Sequence, residues 1–405
     1  EDKMKILFLT LLDFRSFSEH NIYCDLLRQF IQNGHDVYCI SPTEKRYRVN
    51  THFEMNNHLL KLQIGNTQKT NLIEKGISTL MIEPQFKAAI KKYFSNVKFD
   101  LVLYSTPPIT LVRAVKYVKR RDSAKTYLML KDIFPQNAVD LGMMQTKGPK
   151  ALIYNYFRKK EKKLYAISDR IGCMSQANVD YVLKNNPEIN PDIVEICPNS
   201  IEVQDMRLDE HEKLVMRHKY DLPTDKKVFV YGGNLGKPQG VSFIIECLRA
   251  EKDNKKAFFL IVGDGTEFGK IEAFLNEEKP TNVKLMKSLP KEDYDRMVAA
   301  CDIGMIFLDH RFTIPNFPSR LLSYMQAGLP VLACTDPNTD ICKVITEGGF
   351  GWWCESDDAS KAVYEIAKVI VADLADYGYK SKKYLKENYS IYSTYETISA
   401  FIAKV

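Results

Sequence analysis

The stretch VFVYGGNLGKPQG, residues 228–240, decides the fold prediction because an apolar run enters a glycine-rich turn. Val228–Tyr231 has the composition of a buried strand, and Val241–Arg249 has that of a helix. Glycine lets backbone amides approach an anion closely, and a helix N-terminus favours negative charge. The stretch is therefore either a phosphate-binding turn, to which Lys237 adds a cation, or a tight turn that needs glycine for its geometry alone.

Strands and helices alternate on both sides of this stretch. The predicted strands are Lys5–Thr10, Val37–Ile40, Leu101–Tyr104, Thr126–Leu130, Arg170–Met174, Val194–Cys197, Val228–Tyr231, Ala257–Val262, Val283–Met286, Ile303–Leu308 and Leu329–Ala333. The predicted helices are Glu19–Asn33 with a possible cap at Ser18, a helix after Pro84 to Tyr93, one ending at Lys119, 150–166, Val241–Arg249, Phe268–Leu275, Lys291–Ala300, Pro318–Ala327 and much of 359–405. Residues 44–80 show no clear periodicity, and the charged segment 202–226 reads as a linker.

Continuously apolar strands between helices indicate parallel sheets that are covered on both faces. The alternation restarts after residue 200, so the sequence predicts an α/β protein with two Rossmann-like, doubly wound parallel-sheet domains. In such sheets ligands bind beyond the carboxyl ends of the strands. Two such domains facing each other would form a central cleft.

Composition narrows the class of protein. Of the 405 residues, 45% are hydrophobic and 27% are charged, as in ordinary globular proteins, and no apolar run is long enough for a membrane span. The nine cysteines form no C-x-x-C pair, which indicates reduced thiols and a cytoplasmic location. Histidines and carboxylates show no metal-binding spacing, so the sequence predicts no metal.

Charge is distributed unevenly along the chain. Residues 1–200 contain 30 Lys and Arg against 20 Asp and Glu, a net of +10, whereas residues 201–405 contain 27 against 31, a net of −4. The densest basic cluster is RKKEKK, residues 158–163. It favours either an anionic membrane surface as a partner of the first domain or a solvated helix face. Because no RNA-binding signature accompanies it, nucleic acid is not a predicted partner.

A second candidate phosphate site is TIPNFPSRLLSYMQAGLPV, residues 313–331. Arg320 near the start of a predicted helix is electrostatically unfavourable unless an anion is also present. Its guanidinium could bind a diphosphate with two parallel hydrogen bonds. The alternative is a surface arginine that pairs with a nearby carboxylate.

The two segments, in this order and at this spacing, resemble the retaining glycosyltransferases of family four, which have the GT-B fold. Further matches follow the family's order along the chain. They are PNSIE at 198–202, VGDG at 262–265, KSLP at 287–290, AACDI at 299–303 and MQAGLPV at 325–331. The Pro-Ser-Arg at 318–320 and the Gln-Gly at 239–240 are similar to the subgroup that assembles surface polysaccharides.

The resemblance implies transfer of a sugar, of the hexosyl or N-acetylhexosaminyl type, from a nucleotide-diphosphate donor with retention at the anomeric carbon. UDP is the family's commonest carrier, and neither a metal nor another cofactor is implied. The acceptor would be a saccharide or a lipid-linked saccharide. Residues 1–200 would bind the acceptor, residues 201–388 the nucleotide-sugar, and a helix at 389–405 would cross back to the first domain.

The resemblance and the charges of the two segments together predict the site residues. Asp132, Lys237 and Arg320 would be catalytic, with Lys237 and Arg320 supplying the positive charge that the family has at other positions of the glycine turn. Asp132 lies in KDIFPQ, residues 131–136, where it could instead be a helix N-cap. The donor-binding positions would be Gly233, Asn234, Gly236, Gln239, Asp264, Lys287, Leu289, Asn316, Phe317, Pro318, Ser319 and Ser323.

The sequence departs from the family pattern at four of its positions. The usual E-x7-E pair falls on Pro315 and Ser323, and a usual Arg and Lys fall on Asn234 and Gln239. Two other functions therefore stay open: a GT-B sugar-nucleotide epimerase and a catalytically impaired subunit that binds nucleotide-sugars. A Rossmann dehydrogenase is the weakest alternative, because no G-x-G-x-x-G follows the first strand.

Overall fold

The computed structural model describes residues 3–68 and 72–403. Residues 404 and 405 of the predicted last helix and residues 69–71 of the segment without periodicity lie outside this range. The contacts divide the chain into two compact units. The first unit comprises Glu1–Glu202 and Ile391–Val405, and the second comprises Val203–Ser390.

Within its described residues, the first unit has one sheet of eight strands and a set of helices around it. The strands are β1 Lys5–Leu9, β2 Asp36–Glu44, β3 His52–Glu54, β4 Leu59–Ile64, β5 Leu101–Ser105, β6 Lys125–Leu130, β7 Arg170–Cys173 and β8 Val194–Ile196. The helices before residue 202 are α1 Ile22–Gln32, α2 Leu72–Tyr93, α3 Val112–Asp122, α4 Gln136–Asp140, α5 Ala151–Ile167 and α6 Gln176–Asn185.

The strand order of the first sheet is β3-β4-β2-β1-β5-β6-β7-β8. All neighbouring strands are parallel except β3 and β4, which are antiparallel. Leu7 of β1 pairs with Tyr38 of β2 on one side and with Val102 of β5 on the other, so the winding direction reverses between β1 and β5. All residues of β5, and all residues of β1 after the exposed Lys5, are buried, as their apolar sequence predicts.

The second unit repeats this plan with a shorter sheet. Its strands are β9 Lys227–Gly232, β10 Ala257–Val262, β11 Val283–Met286, β12 Ile303–Phe307, β13 Val331–Thr335 and β14 Gly351–Glu355. Its helices are α7 Glu210–Lys219, α8 Val241–Ala250, α9 Phe268–Glu278, α10 Lys291–Ala299, α11 Arg320–Gln326, α12 Ile341–Glu347, α13 Ala359–Val371 and α14 Leu374–Asn388. The order β11-β10-β9-β12-β13-β14 is entirely parallel, and the winding reverses between β9 and β12. The prediction of two Rossmann-like, doubly wound sheets is confirmed.

The chain ends in α15 Ile391–Ala403, which packs in the first unit. The ring of Tyr395 lies 5.0 Å from that of Phe30 on α1, edge to face. The backbone N–H of Ile391 donates to the carbonyl oxygen of Ile201 at 2.9 Å. The last helix is therefore a core element of the unit that holds the N-terminus.

Several local predictions were wrong. Residues 44–80 contain β3, β4 and the start of α2, and Pro84 lies inside that helix instead of preceding it. The segment 202–226 contains α7, and α6, α12 and β14 were not predicted. Asn21, not Ser18, caps α1, because its side-chain oxygen accepts from the backbone N–H groups of Tyr23 and Cys24.

Candidate functional site

A cavity of about 440 Å³ lies at the carboxyl ends of β9, β10 and β11 in the second unit. We call it the switch-point cavity, because β9 and β12 flank the reversal of strand order where doubly wound sheets bind ligands. Its lining residues are Gly232, Gly233, Val262, Ser288, Leu289, Tyr294, Pro318, Ser319, Arg320 and Ser323. Both segments that the sequence singled out as phosphate sites therefore contribute to one cavity.

The glycine turn after β9 packs closely, backbone against backbone, on the turn after β10. Gly233 has φ +138°, which favours glycine, and its N–H donates to the carbonyl oxygen of Val262 at 2.9 Å. The N–H of Leu235 donates to the carbonyl oxygen of Asp264 at 2.9 Å, so the turn after β10 runs alongside. A side chain on Gly263 would collide with the carbonyl oxygen of Gly233. The VGDG match thus has a physical reason: its glycines let two strand-end turns touch.

Buried Gln239 and exposed Asn234 stabilise the turn through their side chains. The Oε1 atom of buried Gln239 accepts from Asn234 Nδ2 and from the backbone N–H of Gly236, both at 3.1 Å. The Tyr231 hydroxyl donates to the carbonyl oxygen of Asn234 at 2.6 Å. Neither Asn234 nor Gln239 lines the switch-point cavity. Lys237 is exposed and lies outside the lining as well.

Arg320 is the cation that the structure places in the lining. It begins α11, and its Nη1 donates to the carbonyl oxygen of Gly232 at 3.3 Å, while its guanidinium carbon lies 4.6 Å from the ring centre of Tyr231. Among the described residues it forms no ion pair with a carboxylate, and its main titratable neighbours are the tyrosines Tyr231, Tyr324 and Tyr294. The alternative of a surface arginine paired with a carboxylate is therefore wrong. The predicted helix Pro318–Ala327 is shorter than expected, with Pro318 and Ser319 before its first residue.

The remaining predicted donor positions divide into two groups. Leu289, Pro318, Ser319 and Ser323 line the cavity. Asp264, Lys287, Asn316 and Phe317 do not line it.

The four predicted residues outside the lining lie elsewhere in the second unit, where they contact other protein groups. Lys287 Nζ lies 3.3 Å from an Asp264 carboxylate oxygen, and hydrogen bonding to Ser288 lowers the pKa of Asp264. Phe317 is buried against the ring of Tyr389. The carbonyl oxygen of Asn316 accepts from the Thr339 hydroxyl, but its buried Nδ2 donor has no hydrogen-bond acceptor among the described residues.

Asp132 belongs to the first unit, where it follows β6. Asn137 Nδ2 donates to both carboxylate oxygens of Asp132, at 2.9 Å and 3.0 Å. The backbone N–H of Asp132 donates to the Thr106 hydroxyl at 3.1 Å. Burial raises its pKa to about 6, although hydrogen bonds from the Ile133 N–H and Asn137 stabilise the charge. Pro135 occupies the N-cap position of α4, so the alternative that Asp132 caps this helix is wrong.

Sequence reasoning missed Ser288, Tyr294 and Asn137. Tyr294 on α10 fits against Gly232 because that residue has no side chain, and burial raises the pKa of its hydroxyl. Ser288 could have been found, since it follows β11 at the edge where ligands bind. Nothing in the spacing of Tyr294 or Asn137 indicates their neighbours.

Within the described part of the chain, two groups of side chains bring carboxylates and a histidine close together. They are His20, Asp25 and Glu202 in the first unit and His310, Glu355 and Asp357 in the second. Arg28 binds both Asp25 and Glu202, and Lys361 binds both Glu355 and Asp357. A single protein cation therefore already pairs with both carboxylates of each group.

All nine cysteines are free thiols. Among the described residues, no helix is both long enough and apolar enough to cross a bilayer.

Comparisons with known proteins agree with this architecture. Residues 212–389 match the sequence model of the family described as Glycosyl transferases group 1. The chain is 24% identical over 338 residues to WbjE of Pseudomonas aeruginosa, named as a probable glycosyltransferase, with 83% of this chain and 82% of WbjE covered. It is 22% identical over 248 residues to WcaI of Escherichia coli, whose name refers to glycosyl transfer in colanic acid biosynthesis, with 60% and 59% covered.

Solved structures share the fold at low sequence identity. HepE from Anabaena, in its complex with UDP-glucose, superposes with a TM-score of 0.70 at 13% identity, covering 99% of this chain and 100% of HepE. The resemblance to family-four glycosyltransferases that the motifs indicate is confirmed.

Proposed function

We propose that this chain, which has the GT-B fold and matches the model of group 1 glycosyltransferases over residues 212–389, is a glycosyltransferase that transfers a sugar from a nucleoside-diphosphate donor during assembly of a surface polysaccharide. The observation that carries the proposal is Arg320, a cation without a carboxylate partner among the described residues, in a cavity at the switch point of the second sheet. A guanidinium held there by Gly232 and Tyr231 suits a diphosphate.

We propose UDP as the carrier and a saccharide or lipid-linked saccharide as the acceptor. HepE, which has the same fold, binds UDP-glucose. Ser323 stands where the family has a carboxylate toward the ribose, and its hydroxyl can donate or accept a hydrogen bond there. Pro318 and Ser319 of the lining would form the sugar end of the site, and Asn316 and Phe317, which lie outside the lining, would position that segment.

The proposed reaction retains the configuration of the donor sugar and needs no metal. The bond from the anomeric carbon to the diphosphate oxygen breaks, and the bond to the acceptor oxygen forms on the same face. The acceptor proton passes to the leaving phosphate oxygen, so no protein base is required. Arg320, Lys237 and the glycine turn would stabilise the charge that develops on the diphosphate.

Asp132 is proposed to act on the sugar side of the reaction. Its carboxylate, which Asn137 holds through both oxygens, could accept a hydrogen bond from a sugar hydroxyl or stabilise a positive charge on the sugar ring. With a pKa of about 6 it is mostly ionised at neutral pH. Both roles require that ionised form.

One experiment separates this function from its alternatives. Purified protein is incubated in EDTA with UDP-glucose or UDP-N-acetylglucosamine and a lipid-linked saccharide, and NMR reports the anomeric configuration of the product. The proposal predicts transfer with retention, and a strict need for a divalent ion or an inverted product would contradict it. A new epimer formed from donor alone would identify an epimerase, and UDP binding without turnover a binding subunit, which Pro315 and Ser323 would favour.

Variants test the residues of this mechanism. Arg320→Ala should lower kcat by about 10- to 100-fold, the value of one or two charge-assisted hydrogen bonds, and Lys237→Ala should lower it less because this side chain is exposed. Arg249→Ala is the matched control, since Arg249 lies on α8 and pairs with Glu278 away from the cavity lining. Unchanged turnover in both Arg320→Ala and Lys237→Ala would overturn the mechanism.

We further propose that α5 of the first unit rests on the cytoplasmic face of an anionic membrane. Leu152 and Ile153 are 74% and 57% exposed, and Tyr156, Lys159 and Lys163 continue the same face of the helix. The other cations of the 158–163 cluster are engaged within the unit: Arg158 with Glu161, Lys160 with Glu83 and Lys162 with Glu188. Exposed apolar side chains followed by lysines fit a bilayer with anionic headgroups.

A further inference from the structure

A second cavity of the second unit lies at the opposite edge of the same sheet. Its volume is about 830 Å³, and Asp302 and Pro330, which immediately precede β12 and β13, are among its lining residues. We call it the amino-edge cavity. β12 and β13 have five residues each, so roughly 16 Å of strand separates it from the carboxyl ends where the switch-point cavity lies.

The walls of the amino-edge cavity are closely packed. Helix α14 reaches the loop before β13 because Gly378 has no side chain, and a Cβ there would collide with the carbonyl oxygen of Gly328. Gly328 has φ +71°, and a Cβ on it would lie 3.3 Å from Cγ of Arg207. Two glycines therefore let α14 and the stem of Arg207 pack against one loop, which leaves a concave surface between them.

The lining is strongly basic. It contains five cationic side chains and two carboxylates. The cations are Arg207, Lys213, Lys382, Lys383 and Lys386.

Three of the cations lie on one face of α14, at positions 382, 383 and 386, and Tyr379 extends this face by one turn. Lys386 is exposed and forms no ion pair within the described part of the chain, and Lys383 reaches Glu387 only at 3.9 Å. Asp302 already accepts from Arg217 at 2.8 Å. The carboxylates present therefore leave the cluster with an excess of positive charge.

Part of the cationic cluster connects two distant segments of the chain. Asp205 pairs with Arg207 at 2.8 Å and also with Lys382 of α14. Arg207 follows Val203, the first residue of the second unit, whereas α14 ends two residues before Ser390, the last. An anion bound across Arg207 and α14 would add a second link between the entry and exit segments of this unit.

We propose that the amino-edge cavity binds a phosphate-bearing anion, with the phosphate on the lysines of α14 and Arg207 and an attached organic group on Tyr379. The volume lies within the range of small-molecule sites, and ammonium and guanidinium groups are the usual protein partners of phosphate. Tyr379 is 68% exposed and offers a ring face for stacking. This site is independent of the proposed donor chemistry, because the two cavities share no lining residue.

The test is calorimetric titration of inorganic pyrophosphate into the full chain at near-physiological salt, in the Arg320→Ala background so that the switch-point cavity contributes little. The double variant Lys383→Ala/Lys386→Ala removes two exposed lysines and should fold normally. The matched control is Lys255→Ala/Lys270→Ala, which removes two exposed lysines that do not line either cavity. We expect the Kd to rise about tenfold or more in the first double variant and to stay unchanged in the second.

A second arm distinguishes a soluble phosphate from a lipid headgroup. The same proteins, each also carrying Leu152→Ser/Ile153→Ser to weaken the proposed membrane face of α5, are sedimented with vesicles that contain phosphatidylglycerol. Binding of vesicles but not pyrophosphate, lost only in Lys383→Ala/Lys386→Ala, would assign a phospholipid as the source, and the reverse would assign a soluble ligand. The proposal is overturned if neither probe binds, or if both double variants bind as the parent does. UDP binding to the chain with Arg320 intact reports separately on the proposed function.

Discussion

The guanidinium of Arg320 donates to the carbonyl oxygen of Gly232 at 3.3 Å, so the last residue of β9 and the first residue of α11 fix each other. This bond directs a cation toward the backbone of a turn in which Gly233 has φ +138°. Two segments more than eighty positions apart in sequence thus meet in one cavity. The chemistry of the site therefore depends on how closely the glycine turn allows Arg320 to approach it.

Replacing Gly233 by alanine should damage both stability and nucleotide binding. Residues with a side chain rarely adopt the φ angle of Gly233, and the new Cβ would lie 3.0 Å from Nη1 of Arg320. We expect a loss of about 1–3 kcal/mol in the free energy of unfolding and weaker UDP binding. Chemical denaturation and calorimetry measure the two effects.

Gly269→Ala provides the matched control. Gly269 lies in α9, and a Cβ there meets no atom within 4 Å. This variant should be unchanged or more stable by up to about 1 kcal/mol. Equal behaviour of the two variants would show that the turn does not need its glycine.

Gln239 should support the turn by accepting hydrogen bonds. Its Oε1 accepts two hydrogen bonds inside the turn, so Gln239→Ala should lower the free energy of unfolding by about 1–3 kcal/mol. Gln239→Glu keeps an acceptor at this position but adds a buried negative charge near the proposed diphosphate. It should therefore fold yet bind UDP more weakly, as thermal unfolding with and without UDP would reveal. Full UDP affinity in Gln239→Glu would argue against a diphosphate beside this turn.

The pH dependence of activity should report on Asp132. Its pKa of about 6 is raised from 3.8 by burial, so the ionised form is lost as pH falls through about 6. If the ionised carboxylate acts in transfer, kcat/KM should fall below this pH in the parent enzyme. Asp132→Asn should have low activity without this inflection, and an unchanged profile in this variant would rule out the role.

The same group should affect stability with a defined sign. Because the folded state binds the Asp132 proton more tightly than the unfolded chain, ionisation lowers stability as pH rises from about 4 to above 6. Asp132→Asn should therefore gain stability relative to the parent above pH 6 and lose that advantage below about pH 4.

Asn137→Ala removes a hydrogen bond that stabilises the ionised Asp132 carboxylate, so it should move the midpoint of the pH–activity profile to higher pH. Asn155→Ala, at an exposed position of α5, is the control.

Membrane binding should depend on the exposed face of α5. Leu152→Ser/Ile153→Ser should weaken co-sedimentation with phosphatidylglycerol vesicles, because each side chain loses the free energy of apolar burial, about 1.5–3 kcal/mol at most. Lys159→Ala/Lys163→Ala should weaken it as well, and more strongly at low salt. A matched control is Val371→Ser, which removes an apolar side chain that is 80% exposed in the second unit. Equal vesicle binding by the parent and both α5 variants would exclude this surface.

The sequence was informative where burial is uniform. The central strands are continuous apolar runs, and such runs are unambiguous once helices separate them. A proline usually marks a helix start, so the sequence predicts that α2 begins after Pro84. In the structure, buried Ile82 and Phe86 hold the helix on both sides of this proline. Helix α7 was not predicted from the sequence, because it lies in a charged segment. Asp209 and Glu212 form a capping box there, which is a sequence signal for the start of a helix.

The candidate site was predictable in its glycine turn and its cation but not in the packing around them. Glycines mark turns, so the loop at 232–240 could be placed from sequence, and Arg320 could be assigned an anion by its position near a helix start. The structural roles of Asn234 and Gln239 could not be predicted, because both depend on a hydrogen bond between their side chains that closes the turn on itself. Tyr294 reaches the cavity only through the packing of α10 against Gly232, which spacing does not encode.

The switch-point cavity is proposed to bind a nucleoside diphosphate through Arg320. Calorimetric titration of UDP, GDP and ADP in EDTA into the parent protein, Arg320→Ala and Arg249→Ala measures this binding. We expect that UDP binds most tightly, that Arg320→Ala raises its Kd about tenfold or more, and that Arg249→Ala leaves it unchanged. Absence of binding by all three nucleotides, or equal affinity in the parent and Arg320→Ala, would contradict it.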